Sequence, residues 1–301
     1  MLVKACLTGL MLLSGQLLNA SVTLKGSDTM AALITHVLAD IDPDSSLSYE
    51  GGGSGTGVAA LLSQNQVMAP MSRTLSTEES ASLSEKGWKI SSHVIALDAI
   101  GLWVNFSENP ATSLTLSQLK DIYTCKITQW AELGVALDQP VRAIRRGDHS
   151  GTTKIFMKLT GIKNFGPCIE VDDTEGISRS TSRYANAIGF SGMSAQTEGN
   201  KALAIAKETG SPAYVPNAEN VGLLRYPLVR KLRLYNRNLS AAEARFIIDH
   251  IYQGDPRPLE SQFNLSRALN DPEYINPLLE QHHFFPLCQN NESCAGKLDP
   301  H

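Results

Sequence analysis

The 301-residue chain lacks the signatures of several common enzyme classes. No Gly-Lys-Ser/Thr follows a glycine run, so there is no P-loop for a nucleoside triphosphate. The esterase elbow G-x-S-x-G fails at Thr56. The all-glycine dinucleotide pattern fits in no register, and only its looser alanine form matches, as Gly55-Thr-Gly-Val-Ala-Ala60. There is no Cys-x-x-Cys, and the seven histidines show no metal spacing, so neither a metal nor a cofactor is expected. Aromatic residues make up only 6%, and Trp103 and Trp130 read as core residues rather than stacking platforms. After residue 20 no apolar run is long enough to span a bilayer. Basic residues are not in excess, which argues against a nucleic-acid partner.

What is present begins with an export signal. Lys4 supplies a positive start, Leu7 to Leu18 an apolar core, and Leu18-Asn-Ala20 a small-residue end; cleavage is expected after Ala20. Cys6 lies inside this segment without a lipoprotein-like setting, so no lipid anchor is expected. The mature chain then carries 25 basic against 30 acidic side chains, a formal charge of −5. Its four cysteines, Cys125, Cys168, Cys288 and Cys294, allow two disulfides in three pairings. Cys125–Cys168 with Cys288–Cys294 is favoured because each pair then lies within one lobe.

Strands alternate with helices throughout, the pattern of an α/β protein with ligand loops at strand C-terminal ends. A strand at 21–25 runs into Gly26-Ser-Asp-Thr29 and a helix from Met30. A strand at 46–49 runs into Glu50-Gly-Gly-Gly-Ser-Gly-Thr-Gly57 and a helix at 58–63. A strand at 141–144 runs into Arg146-Gly-Asp-His-Ser-Gly-Thr152 and a helix at 154–159. Each unit gathers hydroxyls and helix-terminal N–H groups around one point, which suits a small oxyanion. Taken singly, each is also what an ordinary turn or an N-cap looks like; Asp28 in particular reads as a cap. A short buried strand at 66–71 ends at Ser72-Arg73, a helix opens at Ser76, and apolar strands at 88–97 and 99–105 look able to pass between two lobes. A helix at 116–123 follows the cap Thr115, another is expected at 178–184, and strands are expected at 187–191 and 229–235 before a helix at 240–249.

The order of these motifs, together with Ala187-Ile-Gly-Phe190 and Tyr226-Pro-Leu-Val-Arg230, resembles the periplasmic phosphate-binding proteins of phosphate ABC transporters. The resemblance implies a two-lobed, type II-like binding protein, each lobe a mostly parallel sheet flanked by helices. The expected division is 21–97 plus 230–301 for the first lobe and 98–229 for the second. It implies a monomeric, non-enzymatic protein that captures inorganic phosphate in the periplasm and delivers it to a membrane permease. Transferred position by position, the ligand set is Thr29, the Met30 amide, Ser54, Ser72, Arg146, Ser150, Gly151 and Thr152, with Asp148 holding Arg146. Arg73 stands where many members carry an aspartate that accepts the proton of hydrogen phosphate; as a donor it is expected among the ligand residues. That substitution leaves selection against sulfate open, with Asp28 as a substitute acceptor. Sulfate or molybdate, or scavenging without a transporter, are the alternatives; a hydrolase built on Ser150, His149 and Asp148 is disfavoured because adjacent residues cannot converge as a triad.

Overall fold

The computed structural model describes residues 21–43, 46–105, 113–193 and 196–287. The export segment and the expected Cys288–Cys294 pair lie outside the described residues.

The first third holds β1 (Val22–Gly26), α1 (Ala31–Ile41), β2 (Leu47–Gly52), α2 (Ser54–Leu62), β3 (Met68–Met71), α3 (Thr77–Glu85) and β4 (Lys89–Val104). The middle holds β5 (Ser113–Thr115), α4 (Leu116–Tyr123), β6 (Arg142–Arg145), α5 (Gly151–Thr160), β7 (Glu170–Val171), α6 (Thr174–Arg183) and β8 (Ala187–Gly192). Three short strands follow, β9 (Lys201–Ala202), β10 (Ala204–Ala206) and β11 (Ala213–Tyr214), then α7 (Ala218–Gly222) and β12 (Val229–Asn238). The chain ends in α8 (Ala241–His250), α9 (Arg257–Leu269) and α10 (Pro272–Gln281).

Local chemistry sets many of these boundaries. Ser76 with Glu79, Thr115 with Gln118 and Ser240 with Glu243 each form a reciprocal capping box at the start of α3, α4 and α8. α1 buries Leu33, Ile34, Val37 and Leu38, one face at helical spacing. α2 starts at Ser54, four residues before the apolar run that predicts it, because Gly51, Gly52 and Gly53 all take positive φ and end the strand abruptly.

The long sheet runs β3-β12-β4-β8-β6-β7, with β9 also on β4. β4 is one continuous strand rather than the two expected. Lys89 to Ala99 pairs with β12, and Ile100 to Val104 pairs with β8. The sheets are mixed, not mostly parallel. β1–β2, β5–β10, β6–β7 and β6–β8 are parallel, while β12 lies antiparallel to β3 and β4, and β4 antiparallel to β8. Antiparallel pairing at the crossing follows from a chain that passes over on β4 and returns on β12.

The main apolar clusters sit on either side of that crossing. One joins Leu24, Leu33, Met68, Ala96, Leu232, Leu265 and Leu279. The other joins Ile100, Trp103, Ile144, Phe156, Phe190 and Leu228. Phe285 packs against the second cluster and exchanges both backbone hydrogen bonds with Leu97, so a third segment meets the boundary. Within the second unit Cys125 and Cys168 are disulfide-bonded with Cα atoms 6.1 Å apart, as the favoured pairing expects. Among the described residues no helix is long and apolar enough to cross a membrane.

Candidate functional site

Three helix starts meet where the two units face each other. α2 comes from the first unit, α5 from the second, and the 3-10 turn Asp28–Met30 leads into α1. The first N–H groups of a helix have no partner within it and carry partial positive charge.

Ser54 and Ser72 form the floor on one side. The Ser72 N–H donates to Ser54 Oγ at 3.1 Å, and the two hydroxyls lie 3.3 Å apart. Both side chains are buried. Gly151, the first residue of α5, faces them from the other side. A Cβ there would fall 2.5 Å from Ser54 Oγ and 2.6 Å from Ser72 Oγ, so only glycine lets the helix start approach this closely. Ser150 caps α5, its Oγ accepting from the Thr153 N–H. Thr29 and Thr152 add two further hydroxyls, one from each unit, both bonded to Arg230. Met30 contributes less than expected: its N–H closes the turn onto the Ser27 carbonyl and its side chain is buried in the first cluster.

Arg146 takes partners other than the expected one. Asp148 bonds Arg145 at 2.6 Å, not Arg146. Arg146 instead donates to Asp28 Oδ2 at 2.8 Å and to the Thr174 hydroxyl. The Asp148–Arg146 pairing is what the resemblance implies; here Arg145 ends β6, while Arg146 lies in the loop beyond it and reaches across to Asp28. Asp28 is therefore not an N-cap. Its Oδ1 accepts the Gly52 N–H at 2.7 Å while its Oδ2 holds Arg146, so it ties the glycine loop to the opposite unit.

Arg73, expected among the ligand residues, is instead buried and turned toward α3, where Nη1 and Nη2 grip the two oxygens of Glu79 at 2.6 and 2.7 Å. Among the described residues its Nε has no hydrogen-bond partner. Burial alone would raise the pKa of Glu79; the bonds from Arg73 and the Ser76 N–H, with the charges of Arg73 and Lys154, bring it below the usual carboxylate value.

Asp98 and Arg230 were not among the expected site residues. Arg230 reaches Asp98 through Nε at 2.8 Å and Nη2 at 2.5 Å, and both side chains are almost fully buried. Complete burial raises the pKa of Asp98 against the opposing pull of Arg230 and the Met193 and Ala99 N–H groups. The same guanidinium donates to Thr152 Oγ1 at 2.6 Å and Thr29 Oγ1 at 3.0 Å. The only trace of this in the sequence is a lone aspartate inside an apolar strand, which needs a buried partner.

Two openings flank the centre. One, of about 350 Å³, is lined by Asp28, Thr29, Arg146, Asp173, Thr174 and Gly192. The other, of about 170 Å³, is bordered by Ser72, Arg73, Lys158, Arg230, Lys231 and Arg233. Hydroxyls and arginines from both units thus border these two openings, a donor-rich setting for an oxyanion. Among the described residues no cluster of three or more His, Cys, Asp or Glu could hold a metal.

Comparison with known proteins agrees with this architecture. The phosphate-binding protein PstS of Pseudomonas aeruginosa is 29% identical over 251 residues, covering 76% of this chain and 77% of that protein. PstS of Bacillus subtilis is 26% identical over 242 residues, covering 79% and 77%. A solved structure from Clostridium perfringens, described as a phosphate ABC transporter substrate-binding protein with bound phosphate, matches with a TM-score of 0.69 at 25% identity, over 89% of this chain and 99% of that one. The family model of the PBP superfamily domain matches residues 15–247, and the chain belongs to that superfamily.

Proposed function

We propose that this protein is an exported solute-binding protein that captures inorganic phosphate between its lobes and delivers it to an ABC transporter permease. The observation that carries the reading is the close approach of Gly151 to Ser54 and Ser72, which brings helix starts and hydroxyls of both lobes around one point. The relatives named phosphate-binding protein and the matching structure with bound phosphate support phosphate as the anion. The ligand set we assign is Thr29, Ser54, Ser72, Arg146, Ser150, Gly151 and Thr152, with Asp28 as the carboxylate that orients Arg146. The lobes are assigned as 21–97 plus 230–301 and 98–229; the switch of β4 from β12 to β8 after Ala99 supports that division.

Neutral donors suit this task. Hydrogen bonds to a charged group contribute about 1.5–3 kcal/mol each, so a few that survive desolvation and closure give an affinity of about −8 kcal/mol, or micromolar. Binding without catalysis is supported by the engagement of Ser150 Oγ as a helix cap and of Asp148 by Arg145. Residence in the periplasm as a monomer belongs to the same reading. Calorimetric titration with phosphate, sulfate, arsenate and molybdate tests it. Micromolar or tighter phosphate binding, with arsenate close behind, is the expected result; tighter binding of molybdate or sulfate would reassign the anion.

A further inference from the structure

We propose that Arg230, held by Asp98, is a positioning residue that turns the hydroxyl hydrogens of Thr29 and Thr152, one from each lobe, toward the bound anion. The inference rests on the reading of the cleft as an oxyanion site. It starts from what each group can do. A guanidinium has five N–H donors and no acceptor, whereas a threonine hydroxyl has one hydrogen and two lone pairs and rotates to suit its neighbours. Arg230 donates through Nη1 to Thr152 Oγ1 and through Nη2 to Thr29 Oγ1. Both hydroxyls must therefore accept from it, and their own hydrogens point away from the guanidinium. Among the described residues neither hydroxyl donates to a protein acceptor. Each is left as a donor with a fixed lone-pair side.

The aim of the guanidinium is itself fixed. Asp98 accepts from Nε and Nη2, and its other oxygen accepts the Met193 N–H at 3.3 Å. The last residue of β8, Gly192, makes room for the assembly. A Cβ there would fall 3.0 Å from Arg230 Nη2, 3.1 Å from Asp98 Oδ2 and 3.2 Å from Thr29 Cγ2. β4, β8 and β12 thus each contribute one residue to a support behind the two threonines. The charges of Asp98 and Arg230 offset each other, so the pair adds little net field for an anion. Its effect is directional: hydroxyls fixed as donors favour unprotonated oxygens.

The test is a pair of double-mutant cycles read by calorimetric titration with inorganic phosphate, with thermal melts on every variant. Arg230→Lys keeps a positive charge beside Asp98 but loses the planar fork that reaches both threonines. In the wild-type background Thr29→Val and Thr152→Val should each weaken phosphate binding about 10-fold, the loss of one hydrogen bond to a charged group. In the Arg230→Lys background each should cost less than about threefold, because the hydroxyl is no longer oriented. Equal costs in both backgrounds overturn the proposal, as does unchanged affinity in Arg230→Lys alone. Should Arg230→Lys fail to fold, Asp98→Asn/Arg230→Met removes both charges together and carries the same cycles. A wild-type protein that binds no phosphate would refute the phosphate reading itself, and this inference with it.

Discussion

Gly151 and Ser54 stand on opposite sides of the cleft and meet so closely that a single added carbon would fall 2.5 Å from the serine oxygen. The same carbon would meet Ser72 Oγ at 2.6 Å. The lobes can relieve such a clash by staying slightly apart, at the expense of the ligand. Gly151→Ala should therefore weaken phosphate binding by about 10- to 100-fold, equivalent to the 1–3 kcal/mol of a typical overpacked site. The melting temperature without phosphate should change little. Titration calorimetry with a parallel thermal melt checks both halves of the statement.

Asp28 has both carboxylate oxygens in use, one on the Gly52 N–H and one on Arg146. It is thus poorly placed to accept a proton from hydrogen phosphate, and Arg73 cannot do so at all. Discrimination against sulfate should be modest in the wild type. Asp28→Asn should weaken phosphate and sulfate together, by about 10-fold, because it loosens Arg146 rather than removing a selective acceptor. Competition binding decides this: selective recovery of sulfate binding in Asp28→Asn would make Asp28 the selectivity residue after all.

Glu79 both caps α3 and neutralises Arg73. Glu79→Gln keeps a capping side chain but leaves the buried guanidinium without its charge partner. The expected loss is about 2 kcal/mol, below the range for fully buried pairs because Glu79 is partly exposed. The pKa of Glu79 is lowered in the folded protein, so its contribution is complete above the ordinary glutamate value of 4.5 and fades as pH falls through the folded value. Melts between pH 7 and pH 3 should show the wild-type advantage over Glu79→Gln full at neutral pH and shrinking below about pH 4.5.

The Cys125–Cys168 bridge closes a loop with a sequence separation of 43. Chain-entropy arguments give about 4 kcal/mol for a loop of that size. Cys125→Ser/Cys168→Ser should lower the melting temperature by several degrees while phosphate affinity stays within about twofold, since neither cysteine is among the assigned ligand residues. A large loss of affinity at a temperature where the variant is folded would show that the bridge shapes the site.

Much of the fold is legible in the sequence because its signals are local. Ser76, Thr115 and Ser240 mark helix starts through a partner three residues on, and that chemistry survives in any context. The three loops stand out as a set in a fixed order, although each taken singly reads as an ordinary turn or cap. What escapes is chemistry between distant positions. Asp98 interrupts an apolar run and predicts a strand break, yet Arg230, 132 residues away, satisfies it and the strand continues. Asp148 is the obvious partner for Arg146 by proximity, but Asp28 takes that place from 118 residues away. α9 and α10 carry Pro in their first turn, which masks the helix signal in the sequence although proline there is compatible with a helix.

β4 belongs to both halves of the molecule. Ten of its residues between Lys89 and Ala99 pair on one side of the crossing and five, Ile100 to Val104, on the other. Severing the chain near Asp98 would give each fragment a bare strand edge with unpaired amides and carbonyls, the kind of surface that recruits other chains. The two halves are thus unsuited to separate expression. A reporter domain inserted to follow ligand capture belongs in a surface loop, away from this shared ladder.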